Sequence, residues 1–341
     1  MAKINIVKPR QPRKFSTDRR DPAEVLGMEE AGASPSGNSY WKQKRLCPRE
    51  SALAKIVGLR REGDSEPLTQ GLTFHHALEH YYATIQESQR TTKARRGSKA
   101  YCFAGLADAE AAAWASVLPL ADEPNFEDTW TEVERLLAAY FDMYRRFDRW
   151  RILAVEDTLE YEDAGKARRG ASLGPMRYSC RRDLVVEDYE RKGTWIIEHK
   201  TSRVITEDLV AGYQLDQQTL GQCWLHEEFL DEFPAGWPPL RGCLVNITSK
   251  HKVPRFERIE VMPSRAHLDA FERSMRAHTQ MEALFERLGH PKFLGNCTGP
   301  SRYWSKCDYF EICHGDPSAT IEDIMEMDPP IGFVKEEQED L

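Results

Sequence analysis

Asp183, Glu198 and Lys200 are the residues whose types and spacing could do the most chemistry. Glu198 and Lys200 follow the apolar run Trp195-Ile196-Ile197. Side chains alternate along a strand, so these two project from one face and His199 from the other. Asp183 joins them if the chain before it folds back as a partner strand in matching register. Two carboxylates are hard oxygen donors suited to Mg2+ or Mn2+, which leave room for waters and a substrate phosphate. A lysine beside them can orient or deprotonate an attacking water and offset charge developing on phosphorus.

Holding these groups together requires a hairpin. Residues 178–186 and 194–199 are rich in β-branched and aromatic types, and the polar segment between them ends in Gly193, the pattern of two strands with a longer loop. An earlier strand is predicted over 152–161 and contains Glu156. Ahead of it, Phe74, Ala77, Leu78 and Tyr81 recur at helical spacing and place His75 on an amphipathic helix. His76 and His80, four apart on that helix, read either as a metal pair or as a plain polar face. Further helices are predicted over 104–116 and 125–149, so a helical layer precedes the sheet. After the hairpin, a helix over 208–230 would carry Gln214, Gln218 and Gln222 on one face. Strands at 240–248 and 255–262 and a helix at 265–288, with Leu268, Phe271, Met275 and Leu284 inward, complete the pattern.

Eight cysteines are present in a chain with no apolar leader, so a reducing, cytoplasmic setting is expected and a disulfide framework is not. Cys102, Cys180, Cys223 and Cys243 stand singly and read as small buried residues. Cys297, Cys307 and Cys313 crowd into one short aromatic segment, and Cys47-Pro48 at a helix entrance supplies a fourth thiol if the ends of the domain meet. Four thiolates suit iron–sulfur or zinc. The intervals here lack the closely spaced cysteine pairs usual in structural zinc sites.

Charge is unevenly spread. The net value is −8, but the segment 315–341 holds nine acidic residues against Lys335, so the remainder is neutral. Basic residues cluster at Lys3, Lys8, Arg10, Arg13, Lys14, Arg19 and Arg20, at Arg90, Lys93, Arg95, Arg96 and Lys99, and at Lys166, Arg168 and Arg169. Such patches are where phosphate contact is sought. No apolar run approaches the roughly 20 residues of a membrane span, which excludes a helical membrane protein. The expected organisation is a flexible basic arm at 1–38, a single domain at 39–314 and an acidic tail at 315–341.

The order Asp183, Glu198, Lys200 resembles the PD-(D/E)XK nuclease superfamily, whose signature is an Asp on one strand and Glu-x-Lys or Asp-x-Lys on the next. Gly71, His75, Leu78 and Glu79 resemble the helix that precedes the sheet in RecB-type nuclease domains, and Gln218-x3-Gln222 stands where those relatives place Gln-x3-Tyr. One cysteine before these motifs and three after them resembles the iron–sulfur RecB-type exonucleases, which include AddB-like and CRISPR-associated exonucleases. The resemblance implies an α/β fold with a mixed central sheet flanked by helices. It also implies Mg2+ or Mn2+ bound by His75, Asp183, Glu198 and the backbone carbonyl of His199, with Lys200 assisting and Gln218 and Gln222 in support. Glu156 falls where relatives often carry an acidic residue. Cys47, Cys297, Cys307 and Cys313 would hold a 4Fe–4S cluster that clamps the C-terminal segment onto the N-terminal helix. The implied function is hydrolysis of DNA, as an exonuclease on single-stranded or end-containing substrate. The alternative is a non-catalytic DNA-binding or partner-binding subunit that retains the fold.

Overall fold

The computed structural model describes residues 26, 37–61, 66–123, 126–163, 167–168, 171–172, 176–287, 307–315 and 319–335. The first basic cluster, the side chains of the third, and Cys297 lie outside the described residues. Pro48 cannot continue a helix, so the chain opens with two short ones, α1 (Asn38–Leu46) and α2 (Pro48–Lys55), followed by β1 (Leu59–Arg61). The long α3 (Glu66–Thr91), short α4 (Lys99–Cys102), α5 (Leu106–Val117) and α6 (Glu127–Tyr144) make the helical layer. Then come β2 (Trp150–Asp163), β3 (Ala167–Arg168), β4 (Ala171–Ser172), β5 (Met176–Asp188) and β6 (Thr194–Ser202). Next are α7 (Glu207–Tyr213), α8 (Gln217–Glu228), β7 (Leu240–Ser249), β8 (Phe256–Val261) and α9 (Arg265–Arg287). The end of the chain adds α10 (Phe310–Gly315), α11 (Ile321–Glu326) and β9 (Phe333–Lys335).

The central sheet is mixed and five-stranded, in the order β2-β5-β6-β7-β8, with helices on both faces. Only the β6–β7 pair is parallel, and α7 and α8 make its crossover. β6 is buried on both faces because Trp195 and Ile197 meet α3 and α6 while Ile196 meets α8 and α9. The hairpin turn depends on Gly193, with φ +112°, where a Cβ would lie 2.4 Å from Arg241 Cγ.

Two expected features differ. The helix predicted over 208–230 is split, because Asp216 caps α8 by accepting from the Gln218 amide at 3.1 Å. Gln214 therefore leaves the glutamine stripe and donates to the Glu260 carbonyl at 3.3 Å. On α9, Leu268, Phe271 and Met275 are buried, but Leu284 is 45% exposed, past the point where the helix touches the sheet.

The ends of the chain meet. Leu53, Val57, Leu59, Cys307, Tyr309, Cys313, Ile321 and Ile324 form one buried cluster, and β1 pairs antiparallel with β9. Much of the acidic stretch expected as a tail is thus packed, with α11 and β9 against the N-terminal helices. Among the described residues, no helix is long and apolar enough to cross a membrane.

Candidate active site

The β5–β6 ladder pairs Leu184 with Ile197 and goes no further. One step on, Asp183 lies across from Glu198. There the Asp183 carboxylate accepts the His199 amide N–H at 2.7 Å, a side chain standing in where a ladder bond would be. This break in the ladder opens the sheet where the two carboxylates meet. His75, about two and a half turns into α3, brings Nδ1 to 3.5 Å from Asp183 Oδ2.

Glu198 is 1% exposed and fully engaged. Its Oε1 accepts from Lys200 Nζ at 2.5 Å and Gln218 Nε2 at 2.7 Å, and its Oε2 accepts from Gln222 Nε2 at 2.6 Å. Gln218 Oε1 in turn accepts from Lys200 Nζ at 3.1 Å. The two glutamines, one turn apart on α8, hold the glutamate from above. They reach it only because Gly221 lets α8 lie against β5: a Cβ there would sit 2.1 Å from the Tyr178 hydroxyl. Gly221→Ala is therefore expected to push α8 off the sheet, costing about 1–3 kcal/mol and loosening both glutamine contacts. A denaturant midpoint equal to that of the unsubstituted protein would reject this.

Electrostatics follow from burial. Burial, with Glu198 and Glu156 nearby, pushes the Asp183 carboxyl well above its ordinary range. Burial and the Lys200 charge lower the His75 imidazole to about 4, so at neutral pH it is uncharged. Burial works against the Lys200 ammonium, but Glu198 and Asp183 outweigh it and hold it above its ordinary value. Lys200 is thus a fixed cation rather than a ready proton acceptor.

Glu156 stands on the strand expected from the sequence, but in a backbone conformation that no sequence pattern marked. It has φ +48° within a strand, between the pairs Val155–Leu184 and Asp157–Arg182, and so lies across from Asp183. Burial raises its carboxyl to about 7 even with Arg181 Nε at 2.8 Å. On the other face of β6, the His199 ring stacks on Tyr82 at 5.8 Å and meets Asn246 Nδ2 at 3.3 Å. Asn246 continues to the Tyr140 hydroxyl and to Arg258, which forks onto Asp148. The contacts of Asn246 with His199 and Tyr140 join residues more than 40 positions apart in sequence, so no local pattern signals them. His76 is buried against the His80 ring at 4.7 Å, with Glu79 beside it at 3.5 Å.

Among the described residues, no three His, Cys, Asp or Glu side chains converge as a group that could hold an ion in the arrangement shown, since Glu198 is turned toward Lys200 and the glutamines. The donor chemistry nevertheless fits a hard divalent cation: Asp183 and Glu198 are crowded carboxylates with too little positive charge around Asp183, and His75 is a neutral imidazole. At the junction of the chain ends, Cys47 caps α2, its Sγ accepting from the Glu50 amide at 3.4 Å. Cys47, Cys307 and Cys313 are all buried, and the Cys313 thiol is raised by burial against the opposing pull of Arg49. Arg49 is itself buried and forks onto the Ala319 carbonyl, with both bonds at 3.1 Å.

The chain belongs to the PD-(D/E)XK nuclease superfamily, whose family model matches residues 40–314. No curated protein matches it significantly. Among solved structures it is similar to a protein from Eubacterium rectale described as a "putative exonuclease", at 13% identity over 75% of this chain and 82% of that one, with a TM-score of 0.38. It is also similar to SSO0001, at 12% identity over 58% of this chain and 84% of that one, with a TM-score of 0.25. Likeness at that level carries no argument about activity, and the family assignment rests on the family model.

Proposed function

We propose that the protein is a metal-dependent deoxyribonuclease, acting as an exonuclease on single-stranded or end-containing DNA. The observation that supports this most is the meeting of Asp183 and Glu198 where the β5–β6 ladder ends, with Lys200 and Gln218 on the same glutamate oxygen. In this reading Asp183, Glu198, His75 and the His199 carbonyl hold Mg2+ or Mn2+, which when bound supplies an activated water and neutralises phosphate charge. Lys200 holds its ammonium toward the phosphate, where charge grows as the bond to the leaving oxygen breaks. Gln218 and Gln222 keep Glu198 from turning away, and burial of the carboxylates excludes bulk water from their shared face.

Lys200→Ala is expected to reduce turnover by roughly 10²–10³-fold while changing DNA affinity little, because the ammonium acts mainly on charge present in the transition state. A variant that binds DNA weakly but turns over normally when saturated would make Lys200 a phosphate contact only. The exonuclease assignment is tested with end-labelled linear and circular DNA, single- and double-stranded, in Mg2+ or Mn2+. Loss of linear substrate with circles intact is expected, and nicking of circles at the same rate would replace it with an endonuclease.

The second part of the proposal is a 4Fe–4S cluster on Cys47, Cys297, Cys307 and Cys313. It is supported by three of these thiols lying buried where the chain ends meet, with Arg49 beside Cys313 to offset negative charge. Hydrolysis requires no electron transfer, so the cluster serves as a clamp within a nuclease domain running from about residue 39 to 314, in a cytoplasmic setting where thiolates stay reduced. Stoichiometric zinc without iron in the purified protein would replace the cluster with a zinc site.

A further inference from the structure

The second basic cluster lies at the far end of the helix that carries His75. From His75 to Thr91, α3 rises roughly 24 Å, at about 1.5 Å per residue. The loop that follows is held in one shape. Arg149 Nη2 donates to the Gly97 carbonyl at 2.5 Å, Ser98 Oγ caps α4 by accepting from the Tyr101 amide at 3.2 Å, and Tyr101 and Cys102 anchor the far side in the core. Gly97 has φ +79°, and its Cβ position lies 3.3 Å from the Tyr189 ring, so the loop closes against the β5–β6 turn only with glycine there.

This pinned loop presents Lys93, Arg95, Arg96 and Lys99 to solvent, and among the described residues none of the four pairs with a carboxylate. No acidic residue occurs between Glu87 and Asp108, in a chain whose net charge is −8. Four like charges held close together repel one another, and a polyanion is the partner that relieves them. Phe147, 59% exposed, stands on the turn that Arg149 ties to the loop and offers a surface on which a base can stack.

We propose that the loop at 92–99 is a second nucleic-acid contact, gripping substrate phosphates about 24 Å along α3 from the cleavage centre. The nuclease reading supplies the identity of the polyanion, and an acidic protein segment is the competing occupant. At about 3.4 Å per nucleotide the gap corresponds to roughly seven nucleotides, so only longer substrates bridge the two sites.

The test is fluorescence anisotropy with a chelator present, using single-stranded oligonucleotides of about 4 and about 30 nucleotides. The variant is Lys93→Gln/Arg95→Gln/Arg96→Gln/Lys99→Gln, with Arg95→Gln/Arg96→Gln as a milder version should the first fold poorly. For the long oligonucleotide, affinity at low salt should fall by about tenfold or more and the salt slope by roughly 3, while binding of the short one is unchanged. Polyglutamate is titrated alongside as the acidic-protein probe. Unchanged affinity for the long oligonucleotide, an equal loss at both lengths, or a loss of affinity for polyglutamate alone would each overturn the proposal. Because cleavage is not read, the two readings fail separately: a protein that cleaves nothing but shows this length dependence loses the nuclease assignment and keeps the distal contact.

Discussion

Asp183→Asn and Glu198→Ala are each expected to abolish cleavage, and to move thermal stability in opposite directions. Asparagine keeps the shape of Asp183 and a carbonyl oxygen to accept the His199 amide, but it removes a charge that burial, Glu198 and Glu156 all oppose. Stability of the metal-free protein should rise. The sign of the pH dependence follows from the raised carboxyl. Below the ordinary carboxylate pKa both states are protonated and the residue costs nothing. As pH rises, the unfolded chain ionises first and the native state loses ground. The advantage of Asp183→Asn should therefore be small in acid and grow toward neutral pH. Glu198 behaves differently because it is the acceptor for Lys200, Gln218 and Gln222. Glu198→Ala strands those donors in a buried site, at a cost on the order of 2–4 kcal/mol. Thermal melts of both variants in chelator, at acidic and neutral pH, check the pair. Equal shifts in the same direction would show that Glu198 is not held by its three donors.

Deleting residues 316–341 is expected to destabilise the N-terminal segment rather than trim a loose tail. Ile321 and Ile324 are buried among Leu53, Val57 and Leu59, and side chains of that size contribute about 1.5–3 kcal/mol each. The deletion also removes β9 from β1 and takes the Ala319 carbonyl from the buried Arg49 guanidinium. Against a whole-domain stability of roughly 5–15 kcal/mol, the loss is large. Proteolysis near residues 47–61 should accelerate, and bound iron should fall with it if Cys47 and Cys313 share a cluster. Wild-type protease resistance and melting temperature in the truncated protein would contradict the packing.

Much of the site was legible because its signals are local. The alternation of Glu198, His199 and Lys200 on a strand, the turn at Gly193 and the helical spacing around His75 each follow from the period of one element. The register that sets Asp183 opposite Glu198 was only a condition in the sequence, and the pairing of Leu184 with Ile197 supplies it. What could not be read depends on distant partners or on single dihedrals. Asp216 splits a helix that apolar spacing alone would continue, and Glu156 adopts φ +48° inside an otherwise regular strand. Asn246 reaches His199 from β7 and Arg258 on β8 donates to Asn246, and nothing in their own neighbourhoods marks them. The acidic composition of the C-terminal stretch hid its two buried isoleucines. Charge describes its exposed face and not its packed one.

The most direct test of the central claim is DNA cleavage by the purified protein and by Glu198→Gln, each with Mg2+, with Mn2+ and with chelator. Glutamine keeps the side-chain length and an oxygen for Gln218 or Lys200 but removes the charged ligand. Cleavage by the unsubstituted protein that requires the cation and is lost in Glu198→Gln, with DNA binding retained, is the predicted result. Cleavage that persists in Glu198→Gln, or tight DNA binding with no cleavage in either cation, would contradict an active site built on Asp183, Glu198 and Lys200.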